Sequence, residues 1–192
     1  GYTQTTPLQL CQMTAQLANG GFKIYPKIIV EEDSKTAEEI RIIMNKNKKE
    51  LNKKDSGLKD ATELLGFLDK KEYEALFKSS KNINLVREAM FASTNEIRGT
   101  SYKSRIDDPK YQFAGKTGTS QVRRITEADR ELDLKTFEIP YNERDHALYI
   151  AFGPYKNPRY ALSIVIEHGG SGSSAAAPIA KKLFKLIIDR HE

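Results

Sequence analysis

The sequence predicts an α+β fold in which an antiparallel sheet is packed with helices. Three observations predict it. Two segments rich in β-branched and aromatic residues, His146 to Phe152 and Tyr160 to Ile166, are separated only by the turn signal Gly153-Pro154-Tyr155-Lys156-Asn157-Pro158. Strands joined that closely run antiparallel. A third strand-like segment, Tyr111 to Val122, precedes them, and a helical pattern, Ala175 to Arg190, follows them.

Each element has a local reason. Thr6-Pro7 supplies an N-cap and a proline at the first helical position. Leu10, Met13 and Leu17 then recur on one face, with Cys11, Ala15 and Ala18 beside them, until Asn19-Gly20-Gly21 stops the helix. Phe22 to Val30 reads as extended. From Glu31 to Lys81 the character changes: 12 basic and 12 acidic residues leave the stretch neutral but densely charged. Its scattered isoleucines and leucines support short amphipathic helices, and its Lys-rich middle, Asn45 to Lys54, has a composition compatible with disorder. Residues 31–81 are therefore expected to form a helical insertion lying on the surface. Asn82 to Thr94 is helical again, with Leu85, Val86, Ala89 and Met90 clustering on one side. Arg123 to Arg144 is polar and reads as a long loop. Gly169 to Ser174 reads as a flexible link, and the last helix is expected to turn Ile179, Leu183, Leu186 and Ile187 to the core.

Composition narrows the function classes. At 192 residues and 39% hydrophobic, the chain is long enough for one domain core or for a large part of a bigger domain. No run of about 18 apolar residues is present to span a membrane, and Gly1-Tyr2-Thr3-Gln4 does not resemble a signal peptide. The net charge of +5 comes from interleaved acidic and basic residues. That pattern fits a solvated surface better than a nucleic-acid partner, which would need a one-sided basic patch. A single cysteine, Cys11, leaves no internal disulfide and reads as a small core residue. His146, His168 and His191 show no metal-ligand spacing, so neither a metal nor a cofactor is expected. His168 is expected to shape the turn beside Gly169-Gly170.

The chemistry is concentrated in Gly115-Lys116-Thr117-Gly118-Thr119, on the strand expected over Tyr111 to Val122. A Lys-Thr-Gly triplet on a strand is one signature of penicillin-recognising serine enzymes. Lys116 offers a fixed positive charge to a carboxylate. Gly118 lets a substrate backbone approach the strand. The hydroxyls of Thr117 and Thr119 are carboxylate donors, and the Thr119 amide is a candidate oxyanion donor. A P-loop would need glycine where Lys110 stands, and a helix where Ser120-Gln121-Val122 reads as strand. On the triplet alone, an exposed lysine on an ordinary edge strand is the better description.

The surroundings carry more. Thr6-Pro7-Leu8-Gln9-Leu10, Leu17-Ala18-Asn19-Gly20-Gly21, Leu85-Val86-Arg87-Glu88-Ala89-Met90, Gly99-Thr100-Ser101-Tyr102, Ala114 to Val122, Arg144-Asp145-His146-Ala147, Ala151-Phe152-Gly153-Pro154-Tyr155 and Glu167-His168-Gly169-Gly170-Ser171-Gly172 stand in one order. Together they resemble the elongation-type class B penicillin-binding proteins, of penicillin-binding protein 2 type. The resemblance covers most of the chain outside residues 31–81. It implies the transpeptidase fold shared with serine β-lactamases and D,D-peptidases, a five-stranded antiparallel sheet against a helical subdomain. Residues 1–192 would form the C-terminal portion of that domain. It further implies a periplasmic enzyme tethered to the inner membrane. Its substrates would be peptidoglycan stem peptides, its inhibitors β-lactams, and its partners a membrane glycosyltransferase and other elongation-complex proteins. Within it Lys116 and Thr119 would be catalytic, and Lys116, Thr117, Gly118 and Thr119 would bind substrate.

The same resemblance implies something outside the sequence. The family nucleophile lies in Ser-x-x-Lys, followed by Ser-x-Asn, and both precede the Thr-Pro-Leu-Gln helix. Both are therefore expected upstream. Formal matches inside the chain, Ser56-Gly57-Leu58-Lys59 with Ser80-Lys81-Asn82 or Ser93-Thr94-Asn95, are expected to be decoys. Ser56 follows Lys53-Lys54-Asp55 and suits a solvated N-cap, whereas a nucleophile needs a desolvated lysine beside it. A degenerate homologue serving as a scaffold or binding module stays open at this point.

Overall fold

A computed structural model describes residues 4–26, 74–122, 134 and 136–191. Helix α1 spans Pro7–Ala18 and starts where the sequence places it: Thr6 accepts from the Gln9 amide while Gln9 reaches back to the Thr6 amide, a reciprocal capping box. Asn19 ends it by accepting from the amides of Gly21 and Phe22. Phe22 then pairs with Ala75 in an isolated antiparallel bridge, and the Lys23 amide donates to the Glu74 carbonyl at 2.9 Å. The residues on either side of 27–73 therefore lie next to each other. Most of the expected insertion falls outside the described residues, as do Ser56 and Lys59. Its last positions do not: Ser80 and Lys81 open helix α2, Ser80–Asn95.

The sheet holds β1 (Ala114–Ser120), β2 (His146–Gly153) and β3 (Tyr160–Ile166), in that order and antiparallel throughout. Strand β1 is shorter than the expected Tyr111 to Val122. Thr117 stands opposite Tyr149, and Tyr149 opposite Ile164. Because side chains alternate across a strand, this register gives the sheet two distinct faces. On one, Tyr149 and Ala151 join Phe113, Ile106 and the terminal helix α3, Ala177–His191. On the other, Ala114 and Phe152 join Ala18 of α1 and Met90 of α2. The sheet is thus a middle layer with helices on both sides.

Helix faces differ from the sequence expectation. In α3 the buried residues are Ala177, Ala180, Phe184 and Ile188, while Leu186 is 66% exposed and Ile179 38%. Phe184 decides this rotation: it stacks on Phe113 with ring centroids 4.8 Å apart, and small alanines let the helix approach the sheet. In α2 the buried stripe is Arg87, Met90 and Thr94; of the four apolar residues that cluster on one side only Met90 is buried, and Leu85 is 65% exposed. Thr94 is drawn inward by hydrogen bonds, and Arg87 by its stem and its guanidinium over the Phe152 ring at 5.9 Å. Burial pushes the Arg87 guanidinium below its ordinary pKa.

The expected flexible link at Gly169 to Ser174 is also different. Gly172–Ala176 forms a π-helical turn leading into α3. A Cβ on Gly172 would overlap the carbonyl oxygens of Leu148 and Gly118, so glycine there lets the turn lie directly on the β1–β2 backbone. No helix among the described residues is long and apolar enough to cross a membrane.

Candidate functional site

Strand β1 is one edge of the described sheet: among the described residues it pairs only with β2. Lys116 and Thr119 are exposed, and Thr117 and Gly118 are half-buried. Lys116 and Gly118 project to one face, Gly115, Thr117 and Thr119 to the other. The Lys116 ammonium donates to the Thr117 carbonyl at 2.9 Å and lies 3.4 Å from the Thr117 hydroxyl. The cation is thus held over its own strand beside a hydroxyl.

The two glycines flanking Lys116 differ. A Cβ on Gly115 would overlap the Tyr149 hydroxyl, so this position is filled from behind. A Cβ on Gly118 would meet only the Leu148 Cβ at 3.2 Å and the Leu148 carbonyl oxygen at 4.0 Å. Gly118 is the less crowded of the two glycines, with only Leu148 near an added Cβ.

Behind β1 lies a buried polar cluster that sequence reasoning missed. The Tyr149 hydroxyl is 2.9 Å from Thr94 Oγ1 and 3.0 Å from Ser101 Oγ, and Thr94 Oγ1 also reaches the Gly115 carbonyl at 3.5 Å. Burial raises the Tyr149 phenol above its ordinary pKa, while the Ser101 and Thr94 bonds act the other way. This cluster ties β1, β2, α2 and the Gly99–Ser101 loop together. A signal existed: Thr94 lies four residues after Met90, one helical turn along the same stripe. Asn95 of Ser93-Thr94-Asn95 spends its amide on the Phe91 and Phe113 carbonyls. It is a helix-end anchor, consistent with the decoy reading of that triplet.

The far end of β1 and β2 is fastened as well. The Val122 amide donates to the Asp145 carboxylate at 3.2 Å, and the Gly170 amide to the Asp145 carbonyl at 2.8 Å. His168 has a left-handed backbone, φ 55°. Its amide donates to His146 Nδ1 at 3.0 Å, and its ring Nδ1 donates to the Arg144 carbonyl at 3.1 Å. His168 therefore shapes this turn, as the sequence suggests. Cys11 is half-buried with its thiol 3.5 Å from the Ala161 carbonyl, and burial pushes that thiol up, which suits a packing residue.

The candidate site is therefore a lysine and two threonines on an edge strand, with the less crowded glycine between the threonines. The sequence profile of the penicillin binding protein transpeptidase domain matches residues 1–185. The chain belongs to this family. The peptidoglycan D,D-transpeptidase MrdA of Salmonella typhimurium (strain SL1344) is 33% identical over 190 residues, which is 98% of this chain and 26% of that protein. The chain thus spans about a quarter of the length of this relative. Among solved structures, Pseudomonas aeruginosa PBP2 in complex with WCK 5153 is 30% identical with a TM-score of 0.58, covering 96% of this chain and 30% of that one. Helicobacter pylori PBP2 in its complex with MreC shares the fold at 23% identity, with a TM-score of 0.64 over 97% of this chain and 25% of that one. The chain is therefore a piece of transpeptidase domain of PBP2 type, and its α+β fold of helices packed on an antiparallel sheet is that of the family.

Proposed function

We propose that this chain supplies one wall of the active site of a peptidoglycan D,D-transpeptidase. The observation that carries the proposal is edge strand β1, which presents Lys116, Thr117 and Thr119 around Gly118, where an added Cβ would meet only Leu148. A peptide lying along that edge gains main-chain hydrogen bonds, the economy of strand addition. Lys116 with the hydroxyls of Thr117 and Thr119 holds the terminal carboxylate of a donor stem, and the Thr119 amide serves the developing oxyanion.

The full reaction needs a serine. Its hydroxyl attacks the carbonyl of the penultimate D-Ala, the terminal D-Ala leaves as the amine, and an acceptor amine then displaces the serine from the resulting ester. We place that serine in the parent chain outside these residues, with Ser56 a decoy. The parent is then a periplasmic enzyme tethered to the inner membrane. It uses stem peptides, is acylated by β-lactams, and works beside a membrane glycosyltransferase and other elongation-complex proteins. The MrdA relative's name supports the activity, and the MreC bound to the H. pylori protein supports a partner of that kind.

The test is acylation by a fluorescent penicillin, read by intact mass and peptide mapping. The parent protein is expected to gain one adduct on a serine outside residues 1–192, and the isolated chain none. A stoichiometric adduct on Ser56 would place the nucleophile inside the chain. A parent that is folded but never acylated would favour a non-catalytic scaffold.

A further inference from the structure

We infer that Thr100 and Ser93 are positioning residues for the carboxylate of the bound donor, acting through Thr117. The inference rests on the function proposed above. Its observation is a run of side chains leading away from the candidate site: Lys116 Nζ is 3.4 Å from Thr117 Oγ1, Thr117 Oγ1 is 3.2 Å from Thr100 Oγ1, and Thr100 Oγ1 is 3.2 Å from Ser93 Oγ. The three hydroxyls form a relay between the end of α2 and the face of β1.

The loop carrying Thr100 is fixed for this purpose. The Ser101 amide and the Ser101 hydroxyl both donate to the Ser93 carbonyl at 3.0 Å, and the Gly99 amide donates to the Glu96 carbonyl at 2.8 Å. A Cβ on Gly99 would overlap the Ser93 carbonyl oxygen, so glycine there permits the close approach. Thr100 itself is exposed, and its hydroxyl is turned to Thr117 rather than into the core. Among the described residues the Thr100 hydroxyl meets only Thr117 and Ser93.

Proton counting gives the relay a direction. A hydroxyl has one proton to donate, a carboxylate only accepts, and an ammonium only donates. When Thr117 donates to a bound carboxylate, its contact with Thr100 must run from Thr100 as donor. Thr100 then accepts from Ser93. The order Ser93 to Thr100 to Thr117 to carboxylate is the one in which every proton is used once, and each bond polarises the next. Lys116 donates from the other side. Thr100 thereby holds the Thr117 proton in the rotamer that faces the ligand, and a valine at 100 would free it to turn to water.

The experiment uses the parent protein, two variants and one pair of ligands. Thr100→Val keeps the shape and removes the hydroxyl; Thr100→Ser keeps the hydroxyl. Each is acylated with a β-lactam carrying a free carboxylate and with its methyl ester, and melting temperature is recorded for all. Thr100→Val is expected to lower the second-order acylation rate for the acid by roughly two- to tenfold, the worth of one hydrogen bond. The ester rate and the melting temperature are expected to stay unchanged, and Thr100→Ser to restore the acid rate. Ser93→Ala is expected to give a smaller loss with the same acid-over-ester bias. Equal loss for acid and ester, no loss at all, or failure of serine to rescue would overturn the relay. Absence of acylation by either ligand in the wild-type parent would instead overturn the transpeptidase reading, and the relay with it.

Discussion

At the scale of single residues, the two glycines around Lys116 separate structure from function. Gly115 faces Tyr149, and an added Cβ meets a phenol already bonded to Thr94 and Ser101. Gly115→Ala is expected to destabilise the parent by about 1–3 kcal/mol, because a packed polar cluster yields to an extra methyl only by breaking bonds. Gly118→Ala meets the flank of Leu148 and is expected to cost stability no more than about 1 kcal/mol. Its cost falls on acylation, on the order of 10- to 100-fold, because a methyl there holds the donor peptide off the strand. Paired melting curves and acylation rates for the two variants check this. Similar stability losses in both, or unimpaired acylation in Gly118→Ala, would contradict the assignment. The sequence exposes both glycines equally; only the register, which sets Thr117 against Tyr149, separates them.

At the scale of elements, helices and strands were legible because capping, turn residues and hydrophobic period are local. The capping box at Thr6 and the hairpin turn from Gly153 to Pro158 stand where the chain signals them. Helix faces were not legible, because the choice between neighbouring stripes belongs to the partner surface. In α3 the aromatic Phe184 and three small or branched companions take the sheet, and Leu186 is left outside. Phe184→Ala is accordingly expected to cost about 3–5 kcal/mol, and Leu186→Ala within about 0.5 kcal/mol. Chemical denaturation of the two variants checks it, and a reversed order would restore the expectation from hydrophobic pattern alone. In α2 the polar Thr94 wins a buried position over Leu85 because Tyr149 gives it a partner; no periodicity analysis weighs such a bond. The expected insertion can be tested at this scale too. Since the Lys23 amide bonds to the Glu74 carbonyl, the intervening chain leaves and returns at one place. Replacing residues 31–70 of the parent by a short Gly/Ser linker is expected to leave folding intact and to shift the melting temperature by only a few degrees. Loss of the folded state would make those residues part of the core.

For the whole molecule, the layered arrangement gives β1 two duties. Its inner residues, Ala114 and Gly115, are buried within the sheet-and-helix sandwich, while Lys116 to Ser120 emerge at its edge. In the proposed function the sheet is the mount for a ligand strand; Tyr149 and its partners fasten it to α2. The candidate triplet was readable in the sequence because its chemistry is contiguous. The hydroxyls that support it come from residues 93 to 101 and were readable only once the chain was folded. The central claim is that Lys116 serves the ligand and not the fold. Its side chain is exposed and, among the described residues, bonded only to its own neighbour, Thr117. The most direct measurement is the second-order rate of penicillin acylation in the parent protein carrying Lys116→Ala or Lys116→Arg, with melting temperature alongside. Lys116→Ala is expected to lose on the order of 10² to 10³ in rate with the melting temperature nearly unchanged, and arginine, whose planar fork does not fill the place of a compact ammonium, to rescue only in part. Unchanged acylation in both variants, or a large fall in melting temperature, would contradict it.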